Sequence, residues 1–396
     1  MKVALVAPDG LSVVVFCKAI IRTFKSIPNS EITVICEVGP YRLQIEALGV
    51  QCQDLGAYRF FSVVRDLRYI WLLWRLFSRE SFDVVFTFCT KQNTYGAIAA
   101  WVARVPRIYS HVVGLGTAFL GRSDWRGIVV RVATSRLYKF VGAITDSVWF
   151  TNGNDLSFFM EQGFVSRSKT VLTPNYLDVS EYDIRSVSIE DSRMAKAICR
   201  VSESERVVIM VARLIWAKGV REFSEAAQLL YHSHPHLKFV LVAPEERGSY
   251  GAVPLDYIRE VERTANFVWL GFQENVRCLY EISELAVLPT FYKEGGYPRT
   301  LLEPMAMGKP VITTDSEDCR NAVEDGENGL LVPVRDSKAL ARAIKTIMDD
   351  ESLQEKFGKY SRVKASRDFD ETQIVPQALY RMGLPIVAAG QESTLA

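Results

Sequence analysis

Residues 285–315 read LAVLPTFYKEGGYPRTLLEPMAMGKPVITTD. An apolar run, LAVLPT, passes through the loop FYKEGGYP into the helical pattern RTLLEPMAMG, and then into a second apolar run, PVITTD. Two such runs joined by a helix form a βαβ unit, whose strands lie parallel because a crossover of this length returns the chain in the same direction. Gly295 and Gly296 let the loop backbone approach a ligand with no Cβ in the way. Pro298 stands just before or at the first helical position, where its missing N–H costs little. The unpaired N–H groups of that first turn attract anions. Glu303, one turn in, can accept hydrogen bonds from vicinal hydroxyls such as those of a ribose, and Glu294 can do the same for a sugar ring. The bland alternative is a surface capping loop with an incidental pair of acids.

The same alternation runs along the chain. KVALVAP, EITVICE, DVVFTFC, RIYSHVV and GAITDSVWF are strand candidates in the first half, and RVVIMVA, LKFVLVA, NFVWLG, LAVLPT and PVITTD in the second, with helical patterns between them. Strands apolar enough to be covered on both faces imply parallel sheets in doubly wound layers. Two such α/β domains in series are expected, at 1–183 and 206–369, parted by the charged, serine-rich stretch DIRSVSIEDSRMAKAICRVSESE. Residues 370–396 are read as a last helix capped by Asp370, returning to the first domain, followed by a tail. Ligands of open parallel sheets bind beyond the carboxyl ends of the strands, so two facing sheets would bracket a cleft.

A length of 396 residues with 48% hydrophobic and 23% charged residues suits a two-domain globular enzyme and excludes a disordered chain. No uncharged apolar run approaches the roughly 18 residues of a membrane span. The opening MKVALVAPDG reads as a first strand and not as a signal peptide. Seven dispersed cysteines without a CxxC pair read as free thiols in a reducing cytoplasm. Net charge of +1 argues against a dedicated nucleic-acid binder, yet residues 51–140 carry 13 Lys and Arg against five Asp and Glu, a local excess of +8. That sign suits an anionic membrane surface or a phosphorylated substrate. Within it, residues 58–79 mix aromatics with Arg65, Arg68, Arg75 and Arg79, spaced 3, 7 and 4 and so on one helical face. The stretch could lie at an anionic bilayer or form a crossover helix with a solvated basic face.

Arg213 and Lys218, in RLIWAKGV directly after RVVIMVA, stand at a strand end before a helix. A guanidinium gives bidentate contacts to phosphate and an ammonium adds a compact charge, although a solvated Arg and a helix-flanking Lys are the plain alternative. HSHPH at 232–236 reads as solvated turn residues and DFD at 368–370 as a helix cap; neither is read as a metal site.

VARLIWAKGV, FVWLGF, the stretch at 285–315 and VEDGENGLLVP, in this order, resemble the carboxy-terminal domain of family 4 retaining glycosyltransferases, which have the GT-B fold. GLGTAF at 114–119 and the PRTLLE form resemble bacterial members that extend lipid-linked saccharides for surface polysaccharides or protein glycans. The resemblance implies a sugar moved from a nucleoside diphosphate donor, with uridine as the base, to a hydroxyl of a lipid-linked saccharide, without a metal or other cofactor. It implies that Arg213 and Lys218 hold the diphosphate, assisted by the amides of Arg299 and Thr300. Glu303 would bind the ribose, Phe272 would lie beside the base, and Glu294 would contact the donor sugar. His111, in RIYSHVV, would stand at the cleft edge near that sugar, and Gly10 matches a flexible loop reaching the diphosphate. Two departures stand out: eight residues separate the glutamates where the family usually has seven, so that counting back from Glu303 lands on Gly295, and the family's usual Gly-Gly is reduced to DGL. These departures keep a catalytically inactive nucleotide-sugar-binding scaffold in view, and a nucleotide-sugar epimerase of the same fold class is a further alternative. A non-enzymatic small-molecule binder would not need the diphosphate cations. The cysteine usage and the opening strand lead to the expectation of a cytoplasmic chain, with 58–79 as the stretch that could hold it on the inner face of the cell membrane.

Overall fold

A computed structural model describes residues 1–57, 62–114, 125–246, 248–294 and 296–386. The chain divides into two units, Met1–Pro174 with Glu371–Ala396, and Asn175–Asp370. The break therefore falls upstream of the polar stretch expected to part the domains. That stretch instead supplies the helix Ile189–Ile198, whose Ala195 is buried together with Cys199 in the core of the second unit.

Among the described residues the first unit holds seven strands: β1 (Lys2–Asp9), β2 (Glu31–Glu37), β3 (Gln51–Asp54), β4 (Val84–Phe88), β5 (Arg107–Val112), β6 (Ser147–Phe150) and β7 (Thr170–Leu172). They pair in the order β3-β2-β1-β4-β5-β6-β7, with every pair parallel. GAITDSVWF yields a strand only from Ser147, because Gly142 belongs to the helix Trp125–Ile144. A Cβ on Gly142 would come within 1.8 Å of the Phe164 carbonyl oxygen, so the helix seats there by having none. The helix Glu371–Arg381 belongs to this unit, where Arg22 meets Glu371 at 3.1 Å.

The helix Val63–Glu80 buries Tyr69, Leu73 and Phe77 in the core. Its outer face exposes Val64, Leu67, Trp71 and Trp74 among Arg65, Arg68, Arg75 and Arg79. The buried Asp66 ties the helix to the segment after β4, accepting from Lys91 at 2.8 Å and from the Tyr95 hydroxyl at 3.1 Å. The beginning of the basic aromatic stretch, 58–61, lies outside the described residues, as does 115–119 of GLGTAF. Among the described residues no helix is long and apolar enough to cross a membrane.

The second unit holds β8 (Arg206–Val211), β9 (Leu237–Val242), β10 (Phe267–Trp269), β11 (Ser283–Leu288), β12 (Val311–Thr314) and β13 (Gly329–Val332). They pair in the order β10-β9-β8-β11-β12-β13, again all parallel. In β8, Val208 and Met210 pack into one layer, while Val207 and Ile209 pack into the other. A strand covered on both faces has no polar alternation, hence its continuous apolar reading. Strand order reverses direction between β8 and β11, and the crevice beyond the carboxyl ends of two such neighbours is where open sheets bind ligands.

Candidate active site

Arg213 leaves β8 at that switch point, followed by a tight turn at Trp216–Lys218 and the helix Val220–Leu230. Gly219 joins turn to helix with φ +84°, and a Cβ there would meet the Pro289 carbonyl oxygen at 2.1 Å. Only glycine satisfies both the left-handed backbone and the close approach. The segment after β8 is thereby seated against the segment after β11, and the Phe291 amide donates to the Ala217 carbonyl at 2.9 Å.

This seating brings Lys218 to Glu294. Their ion pair is nearly enclosed, with side chains 13% and 5% exposed. The other oxygen of Glu294 accepts from the Thr290 hydroxyl at 2.6 Å, and the Lys218 ammonium also lies over the Tyr292 ring, 5.0 Å from its centre. Glu294 is thus fixed by the last residues of the LAVLPT run and the first of the loop. Arg213 stays 47% exposed and pairs with Glu246, Nε to Oε1 at 2.8 Å, a hydrogen bond that raises its already high pKa.

Gly296 carries φ +95° where the loop leads into the helix Arg299–Ala306, and the carbonyl of Tyr297 accepts from the side-chain amide of Asn175 at 3.2 Å. Pro298 is the residue just before that helix, and its carbonyl accepts from the amides of Leu301 and Leu302. The amides of Arg299 and Thr300 sit at the first two helical positions, where no earlier carbonyl of the helix is available. Glu303 is enclosed. Arg299 donates to it at 3.2 Å from one turn earlier, while burial raises its pKa against the lowering effect of Arg299 and of the nearby Tyr182 and Tyr280 hydroxyls. The side chain expected to receive a ribose is therefore also half of a buried ion pair. Phe272 follows β10 and is 57% exposed. Gly295 lies outside the described residues.

Two residues of the first unit sit differently from expectation. His111 is not at an edge: it lies inside the packing of β5, 1% exposed, stacked on Trp149 at 4.0 Å and edge-on to Phe88 at 5.2 Å. Burial pushes its pKa down to about 3, so the ring is neutral at ordinary pH. Gly10 is not in a flexible loop either. A short helix starts at Gly10 directly after β1, capped by Asp9, whose carboxylate accepts from the Ser12 amide at 2.7 Å. A Cβ on Gly10 would fall 2.4 Å from the Val38 carbonyl oxygen, a packing reason for the glycine.

In HSHPH, the buried His234 is held by the Ser233 hydroxyl at 2.7 Å and by Asp349 at 3.2 Å. In DFD, Asp368 pairs with Arg367 and Lys364, and the backbone of Asp370 bridges to Leu177. The residues that sequence reasoning missed are Glu246, Thr290 and Gly219. Thr290 and Gly219 stand inside quoted motifs, at a strand end and after Lys218, where their positions are the signal. Glu246 lies just beyond LKFVLVA, and only the three-dimensional pairing of two loops connects it with Arg213.

The model of the family described as glycosyl transferase 4-like domain matches residues 3–175, and that of glycosyl transferases group 1 matches 193–364. An N,N'-diacetylbacillosaminyl-diphospho-undecaprenol alpha-1,3-N-acetylgalactosaminyltransferase of Campylobacter jejuni is 25% identical over 96% of this chain and 97% of its own length. A UDP-Gal:alpha-D-GlcNAc-diphosphoundecaprenol alpha-1,3-galactosyltransferase of Escherichia coli is 23% identical over 84% of each chain. Among solved structures, Anabaena HepE in complex with UDP and glucose superposes with a TM-score of 0.77 at 18% identity, over 97% of this chain and 99% of that one. This likeness bears on the fold and agrees with the GT-B class expected from the motifs. Two parallel doubly wound sheets, each matched by its own family model, make the chain a glycosyltransferase, a 4-like domain followed by a group 1 domain.

Proposed function

We propose that this glycosyltransferase moves a sugar, with retention, from a uridine diphosphate donor to a hydroxyl of a lipid-diphosphate-linked saccharide at the inner surface of a membrane. The observation that carries the reading is the convergence of Arg213, Lys218 and the start of the helix Arg299–Ala306 on the crevice beyond β8 and β11. Two cations and a helix N-terminus suit a diphosphate, and they stabilise the charge that grows on it as the bond to the sugar breaks. The C1–O bond to phosphate breaks and the C1–O bond to the acceptor forms on the same face, while the acceptor proton passes to an oxygen of the departing phosphate. The reading leaves charge neutralisation to side chains and not to a metal ion. Glu303 receives the ribose from within its pair with Arg299, Glu294 faces the donor sugar from its pair with Lys218, and Phe272 offers its exposed ring to the base.

The acceptor class rests on the two relatives, both named for diphosphoundecaprenol-linked substrates. The outer face of the helix Val63–Glu80 supports the membrane part, since indole rings and aliphatic side chains interleaved with arginines suit an anionic interface. Each such arginine contributes about 1 kcal/mol near an anionic surface. Flotation with anionic vesicles is expected for the wild type and reduced for the pair Trp71→Ser and Trp74→Ser; equal flotation of both would remove this helix from the reading.

The reaction itself is tested by incubating the chain with UDP-sugars and undecaprenyl diphosphate N-acetylglucosamine in vesicles. The expected result is a lipid heavier by one sugar and UDP release that depends on the lipid. Release indifferent to the lipid would favour an epimerase, and tight nucleotide binding without release would favour a scaffold.

A further inference from the structure

Arg213 is placed by a loop that contributes nothing else to the quoted motifs. The chain from the end of β9 to the helix Leu255–Thr264 is strapped to the segment after β8 by several backbone hydrogen bonds: Ala212 N–H to the carbonyl of Val242, the last residue of β9, at 3.0 Å, Trp216 N–H to that of Gly251 at 2.8 Å, and Val253 N–H to that of Leu214 at 3.0 Å. A bridge between Ile215 and Ala252 completes the strap. Among its described residues, Glu246 sets a carboxylate against Arg213; it is mostly enclosed and takes a hydroxyl hydrogen bond from Ser249 at 2.7 Å. Ser249 holds Glu246 independently of Arg213, and the carboxylate engages the Nε side of the guanidinium at 2.8 Å, with Nη2 at 3.5 Å from its other oxygen.

We propose that Glu246 is a positioning residue for nucleoside diphosphate binding, holding the guanidinium of Arg213 so that its outer edge meets the phosphates. The proposal rests on the donor reading above. An acid beside a phosphate site is unfavourable by charge alone, so its presence there calls for a compensating benefit. Arginine has five N–H donors in a rigid fork, so a carboxylate on the Nε side and the neighbouring Tyr292 hydroxyl leave further donors to phosphate oxygens. A half-exposed arginine would otherwise be ordered only on binding, at the expense of affinity, and ordering it in advance removes that loss.

The two physical effects predict opposite signs, which makes the test sharp. In calorimetry with whichever of UDP, GDP, ADP and dTDP the wild type binds best, Glu246→Ala weakens binding by about tenfold if preorganisation dominates. If Glu246 acted only as a repelling charge, the same variant would bind more tightly. Glu246→Gln, which keeps an acceptor without the charge, falls between Glu246→Ala and the wild type. The parent nucleoside, without phosphates, binds the wild type and Glu246→Ala alike, a split that a merely structural role would not produce. In the Arg213→Ala background the Glu246→Ala effect disappears. Tighter or unchanged diphosphate binding by Glu246→Ala, or an equal loss for the nucleoside, overturns the proposal while the donor reading stands. A wild type that binds none of the four diphosphates overturns both.

Discussion

Lys218 has two possible roles, cation for a diphosphate and counter-ion for Glu294, and substitutions can separate them. Lys218→Met removes the ammonium and leaves the Glu294 carboxylate, 5% exposed, with the Thr290 hydroxyl at 2.6 Å. Removing one partner of a buried pair costs about 3–5 kcal/mol, because the other charge stays buried without compensation. Lys218→Met combined with Glu294→Gln takes both charges away, and glutamine can still accept from Thr290. The double variant is expected within about 1–2 kcal/mol of the wild type in urea unfolding, since a neutral, well-packed replacement of a buried pair is often nearly cost-free. Nucleotide binding behaves differently. Both variants lose one charge-assisted contact to phosphate, worth about 1.5–3 kcal/mol, or roughly 10- to 100-fold in calorimetric affinity for UDP. Recovery of stability without recovery of affinity is the expected pattern. If the double variant binds UDP like the wild type, Lys218 serves only to hold Glu294 and the reasoning about the diphosphate fails.

Gly219→Ala places a Cβ 2.1 Å from the Pro289 carbonyl oxygen at φ +84°, whereas Gly326→Ala, at φ +79°, meets nothing within 4 Å. The second is expected to cost about 1 kcal/mol, a left-handed-backbone penalty alone, and to leave nucleotide affinity unchanged. The first costs more and weakens nucleotide binding by shifting Lys218; equal effects of the two in thermal unfolding and calorimetry would refute the seating of one loop on the other. His111 supplies a pH prediction. Its pKa falls from 6.5 to about 3 on burial, so below its unfolded value the unfolded chain takes up the proton that the folded chain refuses. Its contribution is present above pH 6.5 and fades as pH falls towards 3. Between pH 6 and pH 4 this amounts to roughly 2–3 kcal/mol. Urea unfolding should show His111→Phe losing less stability than the wild type over that interval, and identical losses would contradict the buried neutral ring.

The central strands were legible because parallel sheets covered on both faces leave uninterrupted apolar runs, as in β1, β4, β8 and β11. The strands left out of that reading, β3, β7 and β13, are three or four residues long and lie at sheet edges. QCQD in β3 has no apolar signal beyond one cysteine, and its strand state is set by pairing with β2. Continuous apolarity also hid which face each residue takes, so His111 could be assigned to β5 but not to the interior stack with Phe88 and Trp149. The site residues Arg213, Lys218, Glu294 and Glu303 were legible because the switch-point rule puts function just after strands. Their pairings were not. Arg299 with Glu303 follows helical spacing, but Lys218 with Glu294 and Arg213 with Glu246 join residues 76 and 33 positions apart, through a loop contact that Gly219 permits and a backbone strap. The domain break was misplaced because polarity marks a surface, and the polar faces of the helix Ile189–Ile198 hide the apolar residues by which it joins the second unit.

The central claim is a nucleoside diphosphate site beyond β8 and β11. Because Glu303 is locked into a buried pair, its removal would disturb the fold as well as the site, and Arg213, half exposed, is the better probe. The decisive measurement is calorimetric titration of UDP, GDP, ADP and dTDP into the wild type and Arg213→Ala. The account predicts that UDP binds in preference to the others and that Arg213→Ala weakens it by about tenfold or more while remaining folded under the conditions of the titration. Binding of none of the four, or equal binding by Arg213→Ala, would contradict it.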